Sequence, residues 1–494
     1  MHKVYYQPEG IWVGDIMPYG EDGTFYLYHQ RDTRNPGPFG EPFGWALATT
    51  KDFVNYKDFG ESLERGGDEE VDQYVYAGTV FKVGDKYHAL YTGCNRDKVR
   101  ARLMKQVLLH ATSDDAVKWE KNIAETLLPP QEGYDDRNWR DPFVLWDEEN
   151  EEYMLILGTR VGEDKRLMTG RLVKFTSKDL DTWEFQGDWW NPGLYTMFEM
   201  PDLFKMGDWW YLVFSQFTDR FATCYRMSRS PRGPWIRPQV DTFDARAFYA
   251  AKTGTDGVHR YLYGWNPSKT QNTWGFNPDQ YPGYDYNTWD WGGSMIVHEL
   301  WQREDGTLAV KPVPALSQAL TVRNDVRWKP MNGSWQVSEE GLAVQTPGVY
   351  AEILSRNEVP ETAELKFTFS FTEGTQRVGL ALQVDEDFAN GYYFYFDPKR
   401  QRVEFKGPLR MFEQGGWTFP FDVELERPLS LKPNQTYQVR LFVDETVMCL
   451  YVNDEVALTT RGYDLHNRSF ALVVDDGSAK FSPVQLTTPP AQKG

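Results

Sequence analysis

A chain of 494 residues exceeds one ordinary domain and can bury large cores, and its make-up of 40% apolar and 25% charged residues is that of a globular protein. A formal net charge of −19 excludes a nucleic-acid binder, because neutralising phosphates needs a basic face, and leaves a neutral substrate open. Aromatic residues supply 16% of the chain, with 19 Trp, which points either to carbohydrate stacking or to a packed all-β core.

The N-terminal stretch MHKVYYQPEGIW has no apolar run before a small-residue cleavage site, and no segment approaches the roughly 20 apolar residues of a membrane span. Cys94, Cys224 and Cys449 have no metal-ligand spacing, and their odd number suits a reducing compartment. The expected address is therefore the cytoplasm.

Five segments then repeat a tyrosine after a short turn: DGTFYLYHQ at Tyr26, GDKYHALYTG at Tyr87, NEEYMLILG at Tyr153, GDWWYLVFS at Tyr211 and GVHRYLYGW at Tyr261. Four continue into a second segment of apolar strand, Ser or Thr, a turn and an aromatic, as in ALATTKDFVNY, LLHATSDDAVKW, LVKFTSKDLDTW and CYRMSRSPRGPW. These read as hairpins between antiparallel strands, and units of several short strands predict five propeller blades over residues 1–315. Asp15 lies 11 residues before the first of these tyrosines, and Asp141 and Glu199 each lie 12 before theirs; Tyr76 and Tyr249 stand near that position in the other two repeats. In a propeller the first strand of each blade lines the central channel, so three carboxyl groups are expected to share one space.

A composition change marks a second domain, since only Trp328, Trp335 and Trp417 follow residue 302. The join runs through KPVPALSQALTVRND, and alternating strands such as AELKFTFSF, VGLALQV, TYQVRLFVD and FALVVDD predict an antiparallel β-sandwich over residues 325–494. No long amphipathic helix is visible; the fold class expected is all-β, a five-bladed β-propeller followed by a β-sandwich.

Hydrolysis of an acetal needs one carboxyl group to protonate the departing oxygen and a second, ionised one to attack the anomeric carbon or activate water. Asp15, Asp141 and Glu199 are the candidates, and no metal or other cofactor is expected. Arg140 would fix a positive charge beside them. Trp12, Trp45, Tyr76 and Trp291 are candidates to stack on a sugar, with Gln30 and Tyr249 as further sugar contacts; core packing is the alternative for each aromatic. The long aromatic and amide-rich segment 266–293 reads as functional. His298 is expected to be structural, and Arg96, Lys98, Arg100, Arg102 and Lys105 to form a solvated hairpin. A small carbohydrate is the expected partner, with no nucleic acid and no membrane, and the oligomeric state is left open.

These motifs resemble glycoside hydrolase family 32, the invertases, levanases and exo-inulinases. WRDPFV matches the family's Arg-Asp-Pro motif, FEMPDLF resembles its Glu-Cys-Pro-Asp motif with Met200 in place of Cys, and DARAFYAAKT and DWGGSM extend the likeness. The resemblance implies a five-bladed propeller followed by a sandwich, with Asp15 as nucleophile, Glu199 as general acid/base and Asp141 as transition-state stabiliser in retaining hydrolysis of a β-fructofuranoside. The chain departs from the family's Trp-Met-Asn-Asp-Pro-Asn-Gly around the nucleophile, reading Trp12, Val13, Gly14, Asp15, Ile16, Met17 and Pro18. Loss of the flanking amides, with Ile16 and Met17 adding apolar bulk, implies that sucrose is a poor substrate and that another short fructose-containing saccharide is better. The rival readings are an inverting arabinofuranosidase or xylosidase of the related propellers, and a sugar-binding propeller without catalysis.

Overall fold

The computed structural model describes residues 2–37, 39–100, 106–122, 128–162, 167–218, 221–272, 275–276, 283–388, 390–407 and 425–491. Among these, almost every regular element is a strand; the helices are the short Arg96–Arg100 and Pro314–Ala319. Five antiparallel blades follow one another. Blade one is β1 (Trp12–Glu21), β2 (Thr24–Asp32), β3 (Trp45–Thr50) and β4 (Tyr56–Leu63); blade two is β5 (Tyr74–Val83), β6 (Lys86–Cys94), β7 (Val107–Ser113) and β8 (Glu120–Lys121). Blade three is β9 (Arg140–Asp147), β10 (Glu152–Arg160), β11 (Gly170–Ser177) and β12 (Glu184–Trp190), and blade four is β13 (Met197–Met206), β14 (Trp209–Phe217) and β15 (Ala222–Ser228). Blade five holds β16 (Tyr249–Thr255), β17 (Arg260–Pro267) and the strand Gly293–Gln302, and Val13 pairs with Gly293 so that blades one and five join in a single sheet.

The repeated outer turn has a local cause. Thr50 Oγ1 accepts the Phe53 N–H at 2.8 Å, and Ser177 Oγ accepts the Leu180 N–H at 2.8 Å. The aspartate two residues after each hydroxyl receives the N–H groups that follow: Asp52 from Val54 and Asn55, Asp179 from Asp181 and Thr182. These side-chain acceptors satisfy backbone donors that the turn would otherwise leave open, which is why Ser or Thr, one residue, then Asp recurs from blade to blade.

Apolar cores lie between neighbouring blades. Leu90, Leu108, Trp139, Val144, Leu155, Leu157 and Phe175 fill the space between blades two and three, and Met154, Ile156, Phe198, Leu203, Leu212 and Phe214 that between three and four. Gly158 permits a close approach of blades three and four, since a Cβ there would stand 2.0 Å from the Phe198 carbonyl oxygen. Arg96–Arg100 is a short helix rather than a hairpin, and the Arg96 guanidinium lies over the Phe39 and Tyr74 rings at 5.0 and 5.3 Å. Arg102 and Lys105 lie outside the described residues.

Chain contacts define two compact units, Tyr6–Pro267 with Trp291–Leu308, and Met1–Tyr5 with Ser268–Asp290 and Ala309–Gly494. The second unit is the β-sandwich. Its long strand Ser469–Phe481 pairs with Arg377–Val384 and Gly341–Glu358 in one layer and, at its end, with Thr362–Phe371 of the other; Phe367, Phe369, Phe396, Tyr437 and Phe481 are buried in its core. A single cut between residues 315 and 325 therefore misses two segments. The start of the chain is held here because the buried Asp444 carboxylate accepts the N–H groups of Lys3, Val4 and Tyr5 at 2.9–3.0 Å and the Thr362 hydroxyl at 2.9 Å. Segment 268–290 is held by Asp285, which accepts the Tyr392 hydroxyl at 2.7 Å and the Tyr463 N–H at 2.8 Å. Asp444→Ala leaves those three backbone donors without their acceptor, and is expected to cost about 2–4 kcal/mol in urea unfolding of this unit; an unchanged midpoint would show that water replaces the carboxylate.

Candidate active site

Each innermost strand carries one extra residue at the same level. The ladder slips between Val13 and Ile16 in β1, Tyr76 and Gly78 in β5, Arg140 and Phe143 in β9, Glu199 and Asp202 in β13, and Tyr249 and Lys252 in β16. Such bulges bend the strand and re-aim its side chains. In three of them the first extra residue, Asp141, Met200 or Ala250, has a left-handed φ of 61°, 53° or 54°. That conformation costs a non-glycine residue about 1–3 kcal/mol and persists only where neighbours hold it. Here they do: the Asp141 N–H donates to Thr92 Oγ1 at 3.0 Å, the Met200 N–H to Asp141 Oδ2 at 3.1 Å, and the Ala251 N–H to Thr223 Oγ1 at 3.3 Å.

The bulges bring the three acids together from different places in the pattern. Glu199 is the last paired residue before its bulge, Asp141 the first inside its own, and Asp15 the second. Glu199 Oε1 accepts Arg140 Nη2 at 2.5 Å, and Oε2 accepts the Tyr249 hydroxyl at 2.6 Å. Arg140 also donates to Asn138 Oδ1 at 2.8 Å, and its Nε lies 3.9 Å from Asp141 Oδ2. Asp15 Oδ1 accepts the Trp265 indole N–H at 2.9 Å.

One guanidinium therefore faces three carboxyl groups, and the electrostatics follow. Burial, helped by the Asp141 charge, pushes Asp15 up to about 8, while the Trp265 N–H opposes the rise. Burial also lifts Asp141 to about 6, against the pull of Arg140. Asp15 keeps partial surface access whereas Asp141 is 3% exposed, so the rise at Asp15 reflects the depth of its surroundings rather than a sealed cavity.

The expected sugar contacts separate into two sets. Arg140 and Tyr249 hold Glu199, and Tyr76 stands at the equivalent position of blade two. Trp291 packs with Trp265 at 6.0 Å and Phe39 at 4.5 Å between ring centroids. Gly14 is what admits it: a Cβ at residue 14 would stand 2.0 Å from the Trp291 indole and 3.1 Å from Gln30 Cβ. Trp45 is a correction, since it is fully buried, its indole N–H donates to the Tyr76 carbonyl at 3.0 Å, and its ring packs on Tyr28 and Tyr91, so it wedges blades one and two and has no face for a sugar. Trp12, 4% exposed beneath the Arg34 guanidinium, and Gln30, 3% exposed, are buried beside the bulge of β1. Ile16 and Met17 are buried, at 0% and 1% exposure, and Trp291 takes the space beside Gly14. Of segment 266–293, residues 273–274 and 277–282 lie outside the described residues, and the described parts of 268–290 belong to the sandwich unit. His298 pairs with Asp244 at 3.2 Å, both fully buried, as a structural histidine does.

Sequence reasoning missed Trp265, Thr92, Lys252 and Asp202. Lys252 left a usable signal, a lone lysine inside the apolar strand FYAAKTGT; Trp265 left none beyond its place in the fifth repeat.

Comparison with known proteins follows the same lines. Residues 5–312 match the glycosyl hydrolases family 32 N-terminal domain and residues 344–488 the family 32 C-terminal domain. The chain is similar to a sucrose-6-phosphate hydrolase of Staphylococcus xylosus, 24% identical over 60% of this chain and 59% of that protein, and to the raffinose invertase of Escherichia coli, 24% identical over 96% and 91%. It thus spans about three-fifths of the length of the first of these relatives. Its fold is similar to that of a sucrose-6-phosphate hydrolase from Lactobacillus gasseri, at a TM-score of 0.73 and 18% identity over 99% of this chain and 93% of that one. An exo-inulinase from Aspergillus awamori has a TM-score of 0.71 and 18% identity over 99% and 98%.

The raised Asp15 makes a stability prediction. Its folded value lies above its unfolded one, so the folded protein holds that proton from about pH 4 to about pH 8, and stability falls as pH rises through this window. Asp15→Asn removes the titration and is expected to melt a few degrees above wild type at pH 8 but together with it at pH 4; parallel melting curves at both would contradict the burial argument.

Proposed function

The chain belongs to glycosyl hydrolase family 32, and from that membership we propose that it is a retaining β-fructofuranosidase acting on short fructose-containing saccharides. The observation that carries the reading is Glu199 clasped between Arg140 and Tyr249 at the same level of the channel as Asp15 on Trp265. In this reading Asp15 attacks the anomeric carbon while Glu199 protonates the departing oxygen. Glu199, then a carboxylate, takes a proton from the water that releases fructose from Asp15. Asp141, held by the Met200 N–H, is in this reading the acceptor of sugar hydroxyls whose hydrogen bonds strengthen as charge develops on the ring. Because burial raises both aspartates, the cluster retains a proton near neutral pH.

The roles separate in kinetics. Asp15→Ala is expected to lose activity on every substrate by several orders of magnitude. Glu199→Ala should keep measurable turnover on an aryl β-fructofuranoside, whose phenol leaves without protonation. Equal losses on aryl and natural substrates in both variants would contradict this division, and transfer to methanol should give the methyl β-fructofuranoside if configuration is retained.

Substrate choice follows from the wall beside Asp15. Trp291 occupies the space that a side chain at residue 14 would fill, so an indole stands at the position preceding Asp15 where the family pattern carries an amide. A site that has exchanged a hydrogen-bonding partner for an apolar surface loses the substrates that relied on the partner. Sucrose is therefore expected to be poor against another short fructose-containing or furanose-containing saccharide, and efficient sucrose hydrolysis in side-by-side kinetics would overturn this. The odd number and scattered placement of Cys94, Cys224 and Cys449, all three buried, support a reducing, cytoplasmic setting, where short saccharides are the available diet; among the described residues no helix is long and apolar enough to cross a membrane.

A further inference from the structure

Past the bulges, the next paired residues of the five inner strands form one further level: Ile16, Gly78, Phe143, Asp202 and Lys252. Lys252 is 3% exposed, and its Nζ donates to the Gly78 carbonyl at 2.6 Å, from blade five to blade two. The Phe143 ring of blade three lies 5.5 Å from that Nζ, and the Asp202 carboxylate of blade four accepts the Thr253 N–H at 2.6 Å. Lys252 thus touches blades two and three, and its neighbour Thr253 takes the contact from blade four. A long, costly-to-bury ammonium at the axis is not needed for packing, since a Met or Leu of similar length would fill the same space.

We propose that Lys252 is a positioning residue for the catalytic carboxyl groups: it ties blade five to blade two immediately past the bulges and supplies, beside Arg140, a second positive charge against which Asp141 and its neighbour Asp15 ionise. The inference rests on the roles given to those two aspartates. The charged groups acting on Lys252 are Asp202 from blade four, Asp141 from blade three and Asp15 from blade one; Arg140 acts on Asp141 from the same strand, and Arg260 acts on Asp202. Blade two offers the neutral Gly78 carbonyl. Burial pulls Lys252 down to about 8, with the three aspartates opposing, so the ammonium is charged through the neutral range and fades above it.

The sign is fixed. Removing a cation raises the neighbouring carboxyl groups, so the acidic limb of the kcat/KM profile of Lys252→Met should move to higher pH by about one unit. Lys252→Arg, which keeps the charge, should leave the limb near wild type. Asp202→Asn removes an anion and should move it the other way, which keeps the test decisive if Lys252→Met does not fold. A limb that stays in place in Asp202→Asn and in folded Lys252→Met, with activity lost only in step with thermal stability, would overturn the proposal and leave Lys252 a structural tie. An active Asp15→Ala would instead undo the assignment of the aspartates, so the two failures are distinguishable.

Discussion

The extra residue in each inner strand is the constraint on which the site depends. Side chains along a regular strand alternate between its faces, so Glu199 and Asp202, three apart, would point opposite ways. The bulge makes them pair with Ser215 and Val213, two apart, and so returns both to one face. The same slip unites Arg140 with Phe143 and Tyr249 with Lys252. Without it the channel would receive half of these groups, and Glu199 would lose either its own orientation or the carboxylate and lysine beyond it.

Local strain is accepted to achieve this. Left-handed backbone at Asp141, Met200 and Ala250 is held by hydroxyl or carboxylate partners on neighbouring blades, and in one case the partner is itself a candidate site carboxylate, since Asp141 Oδ2 receives the Met200 N–H beside Glu199. Position and charge are thereby coupled. Shifting blade three against blade four would disturb the Arg140–Glu199 pair, the Asp141–Met200 bond and the apolar cluster of Phe198 and Phe214 together. Precision of this kind follows from a site built on strands rather than loops, because side chains there inherit the rigidity of the ladder.

The balance of charge is equally tight. Arg140 cannot neutralise three carboxyl groups by itself, and burial penalises each charge that remains. The consequence is a cluster that keeps a proton near neutral pH, with Trp265 and Lys252 as further electropositive neighbours.

Much of this was legible in the sequence. Five tyrosine repeats, period-two alternation and the Ser/Thr-x-Asp turns fixed an all-β chain of five blades and a sandwich, because periodicity and turn chemistry are local properties. Counting back from the tyrosines also found Asp15, Asp141 and Glu199. It assigned them one shared position, whereas they occupy three different places around their bulges, because an inserted residue changes facing without altering the count. What only the tertiary structure decided are contacts between residues far apart in the chain: Trp265 on Asp15 from 250 residues away, Lys252 on Gly78 from 174, Trp291 against Gly14, and Lys3 to Tyr5 on Asp444. The burial of Trp45 belongs with these, since an indole that wedges two blades and one that faces a channel have the same local sequence signature, and only the arrangement of the blades around it tells them apart.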